Sequence, residues 1–163
     1  MKNPIFSYSA EIEWDRARAG DLRVPGLPPL KVAAPPEFNG PGGAWSPEAL
    51  YVGAVASCFM LTFLAYAERG ALELASADVS AEGKLERAEE GYRFTEVTLK
   101  PTVVVRRADD VERAERLVKK AEGSCFIAAS IKSRVVVMPR VYHRQTAVYP
   151  CPAIQADSNH MIV

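Results

Sequence analysis

Two cysteines in unlike settings hold most of the chemical content of this sequence. Cys58 lies within the long uncharged run Ala49–Ala67, and Cys125 follows Gly123-Ser124 at the expected start of a second, short helix. A thiol inside an apolar helix is usually inert core. A thiol at a helix N-terminus is usually more acidic, because the backbone N–H groups and the helix dipole favour the thiolate. If the fold joins the two, a nucleophile stands beside a partner that can close a disulfide on it, which is the minimum for a thiol peroxidase or a redox switch. That closure needs Cα atoms within about 7 Å. Cys151, between Pro150 and Pro152, reads as incidental.

A thiolate at Cys58 needs a cation, since an apolar helix raises a thiol's pKa. Arg16 and Arg18 are the candidates from the Gly- and Pro-rich N-terminal region, with Arg23 a poorer third. Glu48 can orient such an arginine through a bidentate ion pair, or can serve only the helix dipole. Glu48 and Cys58 are separated by about 15 Å of helix rise, so a straight helix cannot put them in one site. An arginine bridging them, or a Glu48 from a second copy of the chain, removes that conflict. Phe59, Met60 and Phe63 can wall an apolar pocket, with core packing as their default role.

These residues need elements to place them. Phe6, Tyr8, Ala10, Ile12 and Trp14 alternate with polar residues, the pattern of a half-buried strand. Residues 15–45 are rich in Gly and Pro, with Leu30-Lys-Val32 as a short strand and Pro35–Gly43 as a loop with special backbone angles. Ser46-Pro47-Glu48 is a helix start, and the helix runs to Arg69 with Gly70 as its stop. Residues 77–86 alternate, residues 88–91 turn, and Tyr92 to Val105 returns, giving a hairpin with one wet face. Asp109 or Asp110 caps an amphipathic helix with Val111, Ala114, Leu117, Val118 and Ala121 on one face. A short helix from Ser124 and the strand Arg134–Met138 follow, and the tail after Arg140 reads as an extended arm. Runs of strands rather than strict alternation give an α+β domain with antiparallel sheet and buried helices. The division expected is one domain over 1–142 and a C-terminal arm over 143–163.

Composition narrows the partners. Formal net charge is zero and the basic residues are scattered, so neither nucleic acid nor an anionic membrane surface is expected. His143 and His160 form no cluster with metal-ligand spacing. Three cysteines behind an N-terminus without an apolar signal region point to a reducing cytoplasm. Ala49–Ala67 is long enough to span a bilayer, by the rule of ~18 or more apolar residues. It lacks a basic flank on its N-terminal side. The preferred reading is a central helix buried on all sides, with Gly53 and Ser57 allowing close approach of another backbone.

The stretch from Pro35 through Trp45-Ser-Pro-Glu48 to Ala56-Ser-Cys58-Phe59 resembles the OsmC/Ohr family, the osmotically inducible and organic hydroperoxide resistance proteins. Ala121-Glu-Gly-Ser-Cys125 fits the place of that family's second cysteine, although Phe126 follows where the family often has Pro. The resemblance covers roughly residues 5 to 140. It implies an intertwined homodimer with antiparallel sheets wrapped around two central helices and active sites at the subunit interface. It also implies that Cys58 is the peroxidatic cysteine and Cys125 the resolving one, with Glu48 and an N-terminal arginine activating thiolate and peroxide. Alternation along β structure puts both Arg16 and Arg18 on the face of Trp14, and Arg18 is preferred. No bound cofactor is implied; an external dithiol, such as a lipoylated protein, recycles the enzyme. The expected function is reduction of organic hydroperoxides, and of hydrogen peroxide as well, in defence against oxidative stress. The alternatives are a non-catalytic dimer that binds an apolar small molecule, and a redox sensor that turns over slowly.

Overall fold

The computed structural model describes residues 3–89 and 91–144. An N-terminal antiparallel sheet holds β1 (Glu11–Arg16), β2 (Ala19–Arg23) and β3 (Leu30–Ala33) in that order. A single 3-10 turn over Pro36–Phe38 leads to α1, Pro47–Arg69. A long hairpin of β4 (Leu74–Ala88) and β5 (Gly91–Val105) follows. Then come α2 (Val111–Glu122), α3 (Phe126–Ser130), β6 (Arg134–Val137) and β7 (Arg140–His143). The α+β class expected from the sequence is observed.

The local signals account for the elements. Ser46 caps α1 by accepting the Ala49 N–H at 3.1 Å, Pro47 occupies its first turn, and Gly70 caps its end. In the loop before it, Asn39, Gly42 and Gly43 hold positive φ, as its composition predicts. The α2 helix buries Ala114, Val118 and Ala121. Its N-cap, Asp110, makes no side-chain cap bond and instead pairs with Arg113 at 3.5 Å. A 3-10 turn over Ala108–Asp110 has already begun the winding there.

Four expectations are corrected. The N-terminal strand starts at Glu11 rather than Phe6, and it is exposed along its whole length. Ile12 and Trp14 find no core beneath them among the described residues. The α1 helix buries a single stripe, Val55, Phe59, Phe63 and Ala67, and is not enclosed on all sides. It is long and apolar enough to cross a membrane, and 17% of that apolar stretch is buried inside the chain. The main sheet is mixed, because β6 and β7 both pair parallel to β5 while β4 pairs antiparallel to it. A dozen or more residues must separate parallel neighbours, and α2 with α3 supply that crossover. Finally, β7 was not foreseen in the tail after Arg140. The rest of the expected arm, with Cys151 and His160, lies outside the described residues.

The core lies where α1 and α2 cover the second half of β5. Val97, Leu99, Val103 and Val105 point inward to meet Phe59, Phe63 and Val118. Phe63 is the plainest test of this packing: Phe63→Ala should lower stability by about 3–5 kcal/mol, read from urea unfolding at fixed protein concentration.

Candidate functional site

Three stripes run along α1. Beside the buried one lie Cys58, Thr62 and Tyr66, spaced four residues apart and therefore stacked on one face. That face meets the junction between α2 and α3. Tyr66 donates its hydroxyl hydrogen to Ser124 Oγ at 2.9 Å, and Lys120 Nζ sits 4.5 Å from the centre of the Tyr66 ring. The third stripe, Gly53, Ala54, Ser57, Leu61 and Leu64, is exposed. No other group approaches within 4 Å of where a Cβ on Gly53 would be, so the close backbone contact expected there is not made among the described residues. Ser57 returns its hydroxyl to the Ala54 carbonyl at 3.2 Å.

The structure brings Cys58 and Cys125 together. The half-buried Cys58 thiol faces the Ile127 and Phe126 N–H groups, the Cys125 thiol and the Thr62 hydroxyl, which act on its acidity. Burial pushes the Cys58 thiol up. The N–H of Ile127, the Cys125 thiol, the N–H of Phe126 and the Thr62 hydroxyl outweigh that and hold it below the ordinary cysteine value. Cys125 goes the other way. Burial raises it, the N–H of Ala128 works against that, and the neighbouring Cys58 sulfur adds to the rise. The two are free thiols.

This reverses one expectation. The first N–H groups of α3 act on Cys58 from across the helix pair, whereas Cys125, although it caps α3, is the less acidic thiol. The groups that act most on Cys58 are also neutral, where a cation was expected. Arg16 ends β1 and is exposed. Arg18 lies in the β1–β2 turn after Ala17, whose φ is 46°, so strand alternation does not continue to it. Its Nη1 donates to the Phe38 carbonyl at 2.6 Å. Arg23 pairs with Glu13 at 3.0 Å.

Glu48 stands in the first turn of α1, far from Cys58 along the helix. Its Oε2 is buried without a hydrogen-bond partner. It lines an open cavity of about 910 Å³ with Phe38, Val52, Tyr92 and Phe94. Gly83 keeps that cavity free, since a Cβ there would strike Val52 and the Phe94 ring. Of the proposed pocket residues, Phe59 is core but borders a small cavity beside Cys125. Met60 is half-buried, and Phe63 is fully enclosed in the core. Thr62, Tyr66 and Ser124 were missed from sequence. The four-residue spacing from Cys58 was the signal that could have found the first two.

Comparison with known proteins identifies the family and the fold. A family model described as OsmC-like protein matches residues 40–139. An uncharacterized Bacillus subtilis protein, YmaD, is 33% identical over 107 residues, 64% of this chain and 71% of that protein. An OsmC-like protein of unknown function from Vibrio cholerae superposes with a TM-score of 0.76 at 26% identity, covering 83% of this chain and 99% of that one. An organic hydroperoxide resistance protein from Legionella pneumophila gives a TM-score of 0.68 at 27% identity, covering 86% and 99%.

The Phe126 N–H can be deleted with little other disturbance. Residue 126 is the first of α3, and Cys125 before it has φ −74° and ψ 110°, an extended conformation that accepts a following proline. Phe126→Pro should therefore raise the Cys58 pKa and shift its alkylation profile to higher pH, because thiolate appears only as pH rises through that pKa. At pH 7 the iodoacetamide rate at Cys58 should fall about threefold to tenfold, measured peptide by peptide by mass spectrometry.

Proposed function

Because the chain belongs to the OsmC-like protein family, we propose that it is a cysteine-based thiol peroxidase acting on organic hydroperoxides. The observation that carries this reading is the pairing of Cys58, held acidic by backbone N–H groups, with the buried and less acidic Cys125. The Cys58 thiolate attacks the distal oxygen of the hydroperoxide, the O–O bond breaks, and the alkoxide leaves as the alcohol after taking a proton. Cys58 is left as a sulfenic acid. Cys125 condenses with it, releasing water and forming the disulfide, and an external dithiol reduces the bridge.

The remaining groups come from a second copy. Glu48 and Arg18 lie at the N-terminal end of α1, where Arg18 and Pro47 border one apolar cavity, so they cannot reach Cys58 of the same chain. A homodimer that sets this end of one α1 against the middle of the other supplies them. Arg18 then takes the role left open between it and Arg16, stabilising charge on the breaking peroxide, and Glu48 orients it. The exposed stripe of α1 and the uncovered Ile12 and Trp14 give such a dimer its apolar surface. The setting proposed is cytoplasmic.

The cavity beside Glu48 favours a second reading, a dimer that binds an apolar small molecule without turnover. Cumene hydroperoxide consumption with dihydrolipoamide separates the two. Wild type should turn over, Cys58→Ser should fall to background, and Cys125→Ser should accumulate sulfenic or more oxidised Cys58. Arg18→Ala should lower kcat/KM by about 10²–10³, with Arg16→Ala close to wild type. A wild type that leaves the hydroperoxide intact, with Cys58 unoxidised in excess peroxide, sinks the peroxidase reading.

A further inference from the structure

The Tyr66 hydroxyl has no part in the chemistry above, yet it is tied to the residue next to Cys125. Its hydrogen bond to Ser124 Oγ is 2.9 Å long and partly buried, and the Lys120 ammonium over its ring closes the outer side. The α3 helix that follows is five residues long and has no side-chain cap. So short a helix does not hold its own position. Its first N–H groups act on the acidity of the two thiols, those of Phe126 and Ile127 lowering Cys58 and that of Ala128 opposing the rise at Cys125. The register of Cys125 against Cys58 therefore depends on what anchors the Ser124-Cys125 corner to α1. Backbone supplies the Ser124 N–H bond to the Ala121 carbonyl at 3.1 Å, which fixes the corner to α2. Among the described side chains, the Tyr66–Ser124 bond ties the corner to α1, which carries Cys58.

We propose that Tyr66 is a positioning residue for disulfide closure: through Ser124 it holds Cys125 where it captures an oxidised Cys58 before a second oxidation. This rests on the peroxidase reading for its substrate but not for its geometry. In the competing step a second hydroperoxide transfers its oxygen to the Cys58 sulfenate, giving sulfinic acid and alcohol. Loosening the corner slows condensation and leaves that second oxidation unaffected, so the partition shifts toward sulfinic acid.

The test compares wild type, Tyr66→Phe, Ser124→Ala, the double variant and Ser124→Thr. Tyr66→Phe keeps the ring and its contact with Lys120. One arm uses diamide, a diazene thiol oxidant that adds to the Cys58 thiolate. Attack by Cys125 then displaces the hydrazide and forms the disulfide, without any hydroperoxide. The other arm uses cumene hydroperoxide. Quenched samples are alkylated and analysed by mass spectrometry. Tyr66→Phe and Ser124→Ala should each slow closure about fivefold in the diamide arm, the double variant should be no slower than either, and Ser124→Thr should close at the wild-type rate. With hydroperoxide, the same variants should yield more sulfinic acid. Closure by Tyr66→Phe at the wild-type rate with diamide overturns the proposal. Wild type that closes with diamide but ignores hydroperoxide overturns the peroxidase reading alone, and the diamide rates still decide the role of Tyr66.

Discussion

The site depends on satisfying the open N–H groups at the start of α3. A helix begins with donors that lack intrahelical acceptors, and an oxygen-bearing cap residue normally meets the first of them. Here the cap is Cys125, which makes no such bond. The acceptor in front of the Phe126 and Ile127 N–H groups is the sulfur of Cys58, across the helix pair. Sulfur is a weak acceptor as a thiol and a strong one as a thiolate. The arrangement therefore gains most when one of the two is ionised, and the less buried Cys58 is the one that ionises at least cost.

The rest of the chain serves that contact. Val55, Phe59, Phe63 and Ala67 seat α1 on β5, which turns the adjacent stripe of Cys58, Thr62 and Tyr66 toward the α2–α3 corner. The parallel pairing of β6 with β5, Glu96 opposite Arg134 through Leu99 opposite Val137, sets where the chain must leave α3. Tyr51 and Ser133 share a hydrogen bond of 2.7 Å, and Ser133 donates to the Phe94 carbonyl at 2.9 Å. These bonds tie the segment after α3 to both α1 and the hairpin. A five-residue helix is thus anchored on both sides, and its first N–H groups stay aimed at Cys58.

Much of this could be read from the sequence. Ser46-Pro47-Glu48, the Pro35–Gly43 loop, the hairpin and the apolar face of α2 all follow from local signals. Each concerns residues close in sequence, where spacing alone dictates geometry. From the residues themselves the pairing of Cys58 with Cys125 was reached only as a condition, since no local rule brings positions so far apart together; the family resemblance is what implied it. The direction of the acidity was misread for the same reason: a helix N-terminus acts on whatever lies in front of it, here Cys58. Arg18 was misplaced because Ala17 takes a positive φ and ends the alternation, which an alanine gives no reason to expect. Ile12 and Trp14 were expected to be half-buried because alternation identifies an apolar face but not what covers it.

The same limit explains the apolar run of α1. A membrane span, a buried core helix and an interfacial helix share length and composition, so hydropathy cannot separate them. Their difference lies in where large and small side chains fall. The stripe against β5 holds two phenylalanines and a valine, while the N-terminal half of the exposed stripe is Gly53, Ala54 and Ser57. Small residues facing outward leave little apolar area for solvent or lipid to act on, but they let another backbone come close. Leu61 and Leu64 then continue the stripe with side chains large enough to fill a facing groove. Among the described residues, the N-terminal half of this stripe is thus left open to another backbone. That is also the half whose first turn carries Glu48, with its buried and unpartnered carboxylate oxygen. A buried carboxylate without a donor is costly. In the proposed dimer, a second copy covering the small-residue stripe brings the donor that Glu48 lacks.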